Sequence, residues 1–172
     1  SSFVRNFGLP FCRMSLDSPL VAVIGLGGVG SHCAHALLRS GVRRLRLVDF
    51  DRVSLSSLNR HAVATRRDVG LSKVGVCASH FANISPGSTI DARDEMFTAD
   101  AAAALIGGSD RPDLVVDCID DLPTKADLLA HCVETAIPVL SALGSGGKGD
   151  PTRLCVGQGL RDIENDPLAS KL

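Results

Sequence analysis

The sequence contains neither tryptophan nor tyrosine, and six phenylalanines are the only large aromatic residues among its 172 residues. Its core must therefore be built mainly from aliphatic side chains, which the hydrophobic content of 45% can supply. Aliphatic strands packed between helices are typical of α/β domains, whose parallel strands are buried on both faces. The length suits one such domain, since single cores usually contain about 100–200 residues.

The sequence also lacks any apolar run near the length of about 20 residues that a helix needs to cross a membrane. Its start, residues 1–12, lacks the charged and then apolar layout of a signal peptide. We therefore expect no membrane segment within this chain and a cytoplasmic location. Association with the mitochondrial outer membrane is the alternative, if a eukaryotic full-length protein carries an anchor.

Excess charge of either sign is missing, because the net charge is only −1 and no overall positive field attracts nucleic acid. The six cysteines are scattered singly, without the paired spacing of a zinc site or a redox motif. This pattern indicates a reducing compartment. Cys33 lies in a helix-like stretch and Cys118 in an apolar strand-like stretch, so both are interpreted as small core residues.

Strand-like and helix-like stretches alternate from Leu20 onward. The former are short apolar runs, and the latter have small and apolar residues at helical spacing. The predicted strands are 20–25, 45–49, 90–93, 114–118 and 137–140, and the predicted helices are 28–40, 73–84, 99–106 and 124–135. Ser72 is the predicted N-cap of helix 73–84, and 153–156 is a candidate further strand.

This alternation predicts an α/β fold with a Rossmann-like, doubly wound, mostly parallel sheet and helices on both faces. Ligands of such sheets lie beyond the carboxyl ends of the strands, so Gly25, Asp49 and residues 118–121 are expected to converge. The domain is predicted to span residues 20–172, after an N-terminal segment at residues 1–19.

A glycine-rich motif, GLGGVG at residues 25–30, follows the first predicted strand and opens the first predicted helix. Gly25 permits a tight turn, Gly27 lets the backbone approach a phosphate, and Gly30 allows close packing of helix on sheet. Gly28 stands at the helix start, where backbone N–H groups face an anion. The motif predicts a nucleotide site, but alone it also fits an NAD-dependent oxidoreductase or an inactive nucleotide-binding module.

Three later motifs distinguish between these functions. Residues 49–60 are DFDRVSLSSLNR, residues 68–73 are DVGLSK, and residues 116–120 are VDCID. In order and spacing they resemble the adenylating family that includes the ubiquitin-activating enzymes and the bacterial activators of sulfur-carrier proteins. The resemblance implies that ATP and magnesium are the cofactors and that a carboxylate is activated by transfer of AMP.

The resemblance also assigns the catalytic residues. It implies that Arg60 and Lys73 contact the phosphates of ATP and that Asp120 binds magnesium. Such a set is needed because attack of a carboxylate on the α-phosphate brings like charges together, and release of pyrophosphate adds more. Asp117, at the end of its strand, is interpreted as structural.

Three further residues are implied to hold the rest of the nucleotide. Asp49 ends the second strand about 20 residues after the glycine motif, where a carboxylate accepts ribose hydroxyls. By the same resemblance, Asp51 and Asn59 make supporting polar contacts. Many relatives carry Asn at the position of Ser57, so the sequence departs from the family pattern there.

The second half of the chain favours one branch of the family. GSGGKGDPTR at residues 144–153 and DPLA at residues 166–169 resemble the tRNA threonylcarbamoyladenosine dehydratases. That resemblance implies adenylation of the threonyl carboxylate of the modified adenosine beside the anticodon, followed by cyclisation with release of AMP, and a tRNA partner. The alternative is an activator of a ubiquitin-like or sulfur-carrier protein C-terminus, with a sulfur-acceptor protein as its partner.

The N-terminal segment is expected to contribute to a homodimer interface. Relatives usually place an N-terminal arginine onto the partner's ATP, and FVRN at residues 3–6 resembles the eukaryotic form of that segment. Arg5 is therefore a candidate nucleotide contact, and Arg13 is a second one. The family pattern continues beyond residues 166–168, so the chain is expected to lack the C-terminal part of the full-length family.

Overall fold

The structure is a computed structural model, and it describes residues 18–144 and 149–172. The candidate dimer contacts Arg5 and Arg13 lie outside the described residues, as does the centre of the glycine-rich stretch. Within the described residues, no helix combines the length and apolar character that crossing a membrane requires.

One sheet of five parallel strands forms the centre of the fold. Its strands are β1 (Leu20–Ile24), β2 (Arg44–Val48), β3 (Thr89–Arg93), β4 (Leu114–Asp117) and β5 (Val139–Ser141). They lie in the order β3-β2-β1-β4-β5, so the chain builds outward from β1 first to one side and then to the other. This order confirms the predicted Rossmann-like, doubly wound sheet and puts its switch point between β1 and β4.

Helices cover both faces of this sheet, as predicted. They are α1 (Gly28–Arg39), α2 (Lys73–Ile84), α3 (Ala102–Ile106) and α4 (Leu122–Glu134). One core cluster packs α1 and α2 against the sheet and includes Phe81, whereas the other packs α3 and α4 and includes Leu128. Successive residues of β1 alternate between the two clusters, because side chains of a strand point to opposite faces.

The largest differences between the predicted and observed ends of helices and strands have local causes. Strand β5 begins at Val139 instead of residue 137, because the N–H of Ile137 bonds to the end of α4 at Cys132 and Pro138 has no N–H to donate. Helix α3 begins three residues later than predicted, because the preceding turn is closed by bonds from Ala101 to Thr98. The predicted N-cap Ser72 is confirmed, since its Oγ accepts the N–H of Gly75.

The candidate strand at residues 153–156 is wrong. Residues Pro151–Arg153 form a short 3-10 turn, and the following residues belong to no strand. Leu154 and Val156 are 80% and 77% exposed, so this stretch has no neighbouring strand to bury its apolar side chains among the described residues.

Candidate functional site

The glycine motif makes the connection from β1 to α1 at the switch point. Gly25 has a φ of +87°, in the left-handed region that favours glycine. A Cβ on Gly25 would lie 2.9 Å from the carbonyl oxygen of Cys118, and one on Gly30 only 1.7 Å from the carbonyl oxygen of Gly25. Glycine is therefore required at both positions, and the loop after β4 lies directly against the turn, as the sequence predicted.

Asp49 holds the glycine turn from the side of β2. Its Oδ2 accepts the N–H of Leu26 at 2.5 Å, and its Oδ1 accepts the N–H of Asp51 at 2.7 Å. Burial raises the pKa of Asp49, whereas these two N–H groups and nearby Lys73 act in the opposite direction. Each carboxylate oxygen retains a second lone pair, so Asp49 can organise the turn and still accept a ribose hydroxyl.

Two cations lie beside the start of α1. Lys73 is the buried first residue of α2, and its Nζ lies 2.6 Å from Oδ2 of Asp51. Arg60 is exposed and packs its methylene groups against Gly28, where a Cβ would lie 3.3 Å from Arg60 Cδ. A small cavity between the two cations is lined by Gly27, Gly28, Ser57, Arg60, His61 and Lys73. The structure thus brings the glycine motif and both predicted phosphate contacts to one place.

The residues predicted to support the nucleotide hold these cations. Asp51 pairs with Lys73, and Asn59 accepts a bond from the Arg60 guanidinium at 3.1 Å. Lysine has three N–H donors, so Lys73 can keep its bond to Asp51 and still meet a phosphate. Ser57 is buried and bonds with Ser54 in a capping box that closes the turn before Arg60. The departure at Ser57 thus serves the shape of this turn.

Asp120 lies in the loop between β4 and α4. Its side chain is exposed and makes no hydrogen bond or ion pair with the described residues. Its neighbour Asp121 is engaged as the N-cap of α4, where it accepts from the N–H and hydroxyl of Thr124. Asp117 is buried and fully bonded, which confirms its structural interpretation.

The Asp120 carboxylate suits a magnesium ion that is also bound by the phosphates of a substrate. No group of three His, Cys, Asp or Glu residues in the described ranges could hold a metal ion alone. Magnesium is commonly bound by one or two carboxylates together with substrate phosphates, and Asp120 can supply one such carboxylate. The assignment of Asp120 to magnesium stays a prediction.

Buried polar residues around the turn were missed from the sequence. Ser31 donates to the carbonyl of Gly27 at 2.7 Å and accepts the N–H of Ala62 at 3.0 Å, which ties the loop after Arg60 to the glycine turn. His61 lines the cavity itself. The position of His61 beside Arg60 in the chain was the only available signal, and Ser31 had none.

His61 predicts a specific pH dependence of stability. Burial lowers its pKa below 6.5, and Lys73 and His32 act in the same direction. Its Nδ1 accepts the N–H groups of Val63 and Ala64, which requires that nitrogen to be unprotonated. Below about pH 6.5 the unfolded chain binds a proton that the folded chain binds less readily. The free energy of unfolding therefore decreases as the pH is lowered.

We expect urea titrations of a His61→Gln variant to show a weaker fall in unfolding free energy between about pH 7 and pH 5 than the wild type. The comparison uses the slope against pH, so a constant loss of stability in the variant does not affect it. Equal slopes for the two proteins would contradict the buried, neutral state of His61.

The buried Cys77 and Cys132 and the half-buried Cys118 are chemically protected. Burial raises the pKa of Cys77 and Cys118 to about 12 and that of Cys132 to about 11. Cys33 and Cys118 pack against the core, which confirms their interpretation as small core residues. Such thiols are poor nucleophiles, because the thiolate is the reactive form.

We therefore expect iodoacetamide to label the exposed Cys155 at least about a hundredfold faster than Cys77, Cys118 and Cys132 in the folded protein. Peptide mapping by mass spectrometry measures each rate, and unfolding in urea should make the rates similar. Rapid labelling of Cys118 in the folded protein would contradict its packing against the glycine turn.

Gly144 and Asp166 lie in the two stretches that resemble the dehydratase branch, and they contact each other. A Cβ on Gly144 would lie 2.9 Å from Oδ1 of Asp166. The same carboxylate accepts the N–H groups of Leu168 and Ala169 at 2.9 and 3.1 Å. The DPLA segment therefore folds back onto the chain just after β5, although more than twenty residues separate the two in sequence.

Comparison with known proteins agrees with this geometry. The model of the ThiF family matches residues 4–166. The tRNA threonylcarbamoyladenosine dehydratase 2 of Saccharomyces cerevisiae is 47% identical over 154 residues, which cover 90% of this chain and 34% of the yeast protein. The tRNA threonylcarbamoyladenosine dehydratase of Escherichia coli is 38% identical over 170 residues, which cover 98% of this chain and 61% of that protein.

A crystal structure of the E. coli dehydratase in complex with ATP is similar with a TM-score of 0.87 and 35% identity. The similarity covers 99% of this chain and 68% of that one. This chain thus spans about a third of the yeast protein and three fifths of the E. coli protein. With its doubly wound sheet and glycine turn, and with almost its whole length matched, the chain belongs to the ThiF family.

Proposed function

We propose that this chain is the ATP-binding part of a tRNA threonylcarbamoyladenosine dehydratase. It adenylates the threonyl carboxylate of the modified adenosine, and the adenylated side chain then cyclises with release of AMP. The observation that carries this proposal is the cavity in which the glycine turn meets Arg60 and Lys73. It lies in a fold that is similar, over nearly all of the chain, to a dehydratase solved with ATP.

The attacking group in this reaction is already an anion at neutral pH, so the adenylation step needs no general base. Its barrier is the repulsion between the carboxylate and the triphosphate, which fixed positive groups reduce. Lys73 is well suited to this task, because burial and its bond to Asp51 hold the ammonium group in place before ATP arrives. The N–H groups at the start of α1 provide further positive charge at fixed positions.

Arg60 has a different property, because its guanidinium is exposed and, among the described residues, bonds only to Asn59 and to the carbonyl of Ser56. It can therefore follow the phosphates as pyrophosphate leaves. Magnesium, when bound through Asp120, would neutralise charge on the phosphate oxygens. Asp49 would accept the ribose hydroxyls and so fix the nucleoside relative to these cations.

The proposal includes a homodimer in which Arg5 reaches the nucleotide of the partner, and a cytoplasmic location with the mitochondrial outer membrane as the alternative. A second function remains as a competitor: activation of a ubiquitin-like or sulfur-carrier protein, with a sulfur-acceptor protein as partner. The contact between Gly144 and Asp166 favours the dehydratase, because these residues belong to the two stretches that resemble that branch.

The test is incubation of the full-length protein with ATP, magnesium and tRNA that carries threonylcarbamoyladenosine. Mass spectrometry of the digested nucleosides should show the loss of one water, together with AMP formation. An unchanged nucleoside mass, with adenylation of a carrier-protein C-terminus instead, would support the second function. Calorimetry with NAD and ATP provides the remaining comparison, and binding of NAD without ATP would contradict both functions.

A further inference from the structure

A fully buried ion pair lies beneath the loop that carries Asp120. Lys125, in the first turn of α4, and Asp117, the last residue of β4, are both 0% exposed, and Nζ of Lys125 contacts Oδ2 of Asp117. A buried charge destabilises a fold unless it is paired and hydrogen-bonded. The Lys125–Asp117 pair lies at the carboxyl edge of the sheet, where ligands of such sheets bind.

Every donor of Lys125 is satisfied in this network. Besides Asp117, its Nζ donates to Oγ of Ser141 at 3.2 Å and to the carbonyl oxygen of Ala142 at 3.0 Å. An ammonium group has three N–H donors, so these partners use all of them. Ser141 in turn donates to Oδ2 of Asp117 at 2.6 Å. The network thus ties together the ends of β4 and β5 and the start of α4.

Asp120 is held from both sides, by this network before it and by the N-cap of α4 after it. The second oxygen of Asp117 accepts the N–H of Ile119 at 3.0 Å, which anchors the loop before Asp120. Asp121 anchors it afterwards as the N-cap of α4. The backbone of Cys118, two residues before Asp120, lies against Gly25 of the glycine turn. Between these anchors the side chain of Asp120 is exposed and makes no bond within the part of the chain that the structure describes.

We infer that Lys125, together with Ser141, is a positioning residue that holds the loop at 118–121 so that Asp120 meets a magnesium ion on the ATP phosphates. This inference rests on the proposed function. Lys125 itself is too deeply buried to touch the nucleotide, so it acts only through the loop. Residues that orient a metal ligand typically change metal affinity by about 10–100-fold when they are lost.

The chain offers a matched control in a second buried cation. Arg46 of β2 is 2% exposed, and it pairs with Asp91 of β3 at 2.7 Å and bonds to the carbonyl of Leu105. It ties β2 to β3 and α3 and makes no contact with the 118–121 loop in the described structure. Removing a partner of Arg46 therefore shows how far disruption of a buried ion pair away from the 118–121 loop affects the measurements.

Two measurements on the full-length protein test the inference. The first is hydrogen exchange of the 118–121 peptide in the nucleotide-free protein, and the second is the magnesium concentration at which ATP binding is half-maximal by calorimetry. Ser141→Ala should raise both by about tenfold. Ser141→Thr keeps the hydroxyl and should restore wild-type values, and Asp91→Ala should change neither.

Unchanged exchange of the loop in Ser141→Ala would overturn the inference, as would an equal effect of Asp91→Ala. If Ser141→Ala does not fold, Lys125→Arg keeps the charge but not the three-donor geometry, and wild-type exchange in that variant would overturn the inference equally. A wild type that binds no ATP at any magnesium concentration would count against the proposed function, while the exchange result would still decide whether the network orders the loop.

Discussion

Replacement of Lys73 or Arg60 by alanine is expected to lower the rate of adenylate formation by about a hundredfold or more. This is the usual effect of removing one fixed group that stabilises charge in a transition state. Both side chains line the cavity beside the glycine turn, where the triphosphate is proposed to lie. The protein should remain folded, since Arg60 is exposed and Asp51, the partner of Lys73, is accessible to water.

Arg52 provides the control for this prediction. It is an exposed arginine of the same segment, and its guanidinium bonds to the carbonyl of Gly70 outside the cavity. Arg52→Ala should therefore retain the wild-type rate, measured as ATP-dependent release of pyrophosphate in the presence of modified tRNA. Wild-type rates in both the Lys73 and Arg60 variants would contradict their assignment to the phosphates.

Substitution of alanine for Gly30 is expected to affect folding and ATP binding together. The new Cβ would lie 1.7 Å from the carbonyl oxygen of Gly25, so α1 or the turn must move. Overpacking of this kind costs about 1–3 kcal/mol, and here it displaces the backbone that is proposed to hold the phosphates. Urea titration should show the loss of stability, and calorimetry should detect no ATP binding at concentrations that saturate the wild type.

A substitution of Gly27 separates the effect on stability from the effect on ATP binding. A Cβ there has no neighbour within 4 Å, and its φ of −69° suits any residue. Gly27→Ala should therefore change stability by no more than about 0.5 kcal/mol. Its methyl group would nevertheless stand where the phosphates are proposed to approach the backbone, so ATP affinity should fall by about tenfold. A stable Gly30→Ala variant with normal ATP affinity would show that the turn is not the binding site.

The parts of the fold that could be predicted from the sequence are those with a local cause. Gly25 is required by its own left-handed φ, Gly30 by the nearby carbonyl of Gly25, and Ser72 caps a helix through a bond only three residues away. The shift of β5 past Pro138 also has a local cause, namely the missing N–H of proline, but the apolar pattern of the sequence concealed it.

The rest of the site depends on contacts between distant residues. Lys125 appears in the sequence as an ordinary helix lysine, and its partners Ser141 and Ala142 are brought to it only by the pairing of β4 with β5. The stretch at 153–156 shows the opposite error, because an apolar pattern predicted a strand where the described structure provides no strand for it to pair with. Periodicity identifies elements, but it does not show whether a partner exists.

The central claim is that Lys73, Arg60 and a metal on Asp120 surround the phosphates of ATP at the glycine turn. A crystal structure of the protein with ATP and magnesium tests this most directly. We predict the phosphates against the backbone of Gly27 and Gly28, with both cations about 3 Å from phosphate oxygens and Asp120 bound to the metal. ATP bound elsewhere, or both cations turned away from its phosphates, would contradict the account.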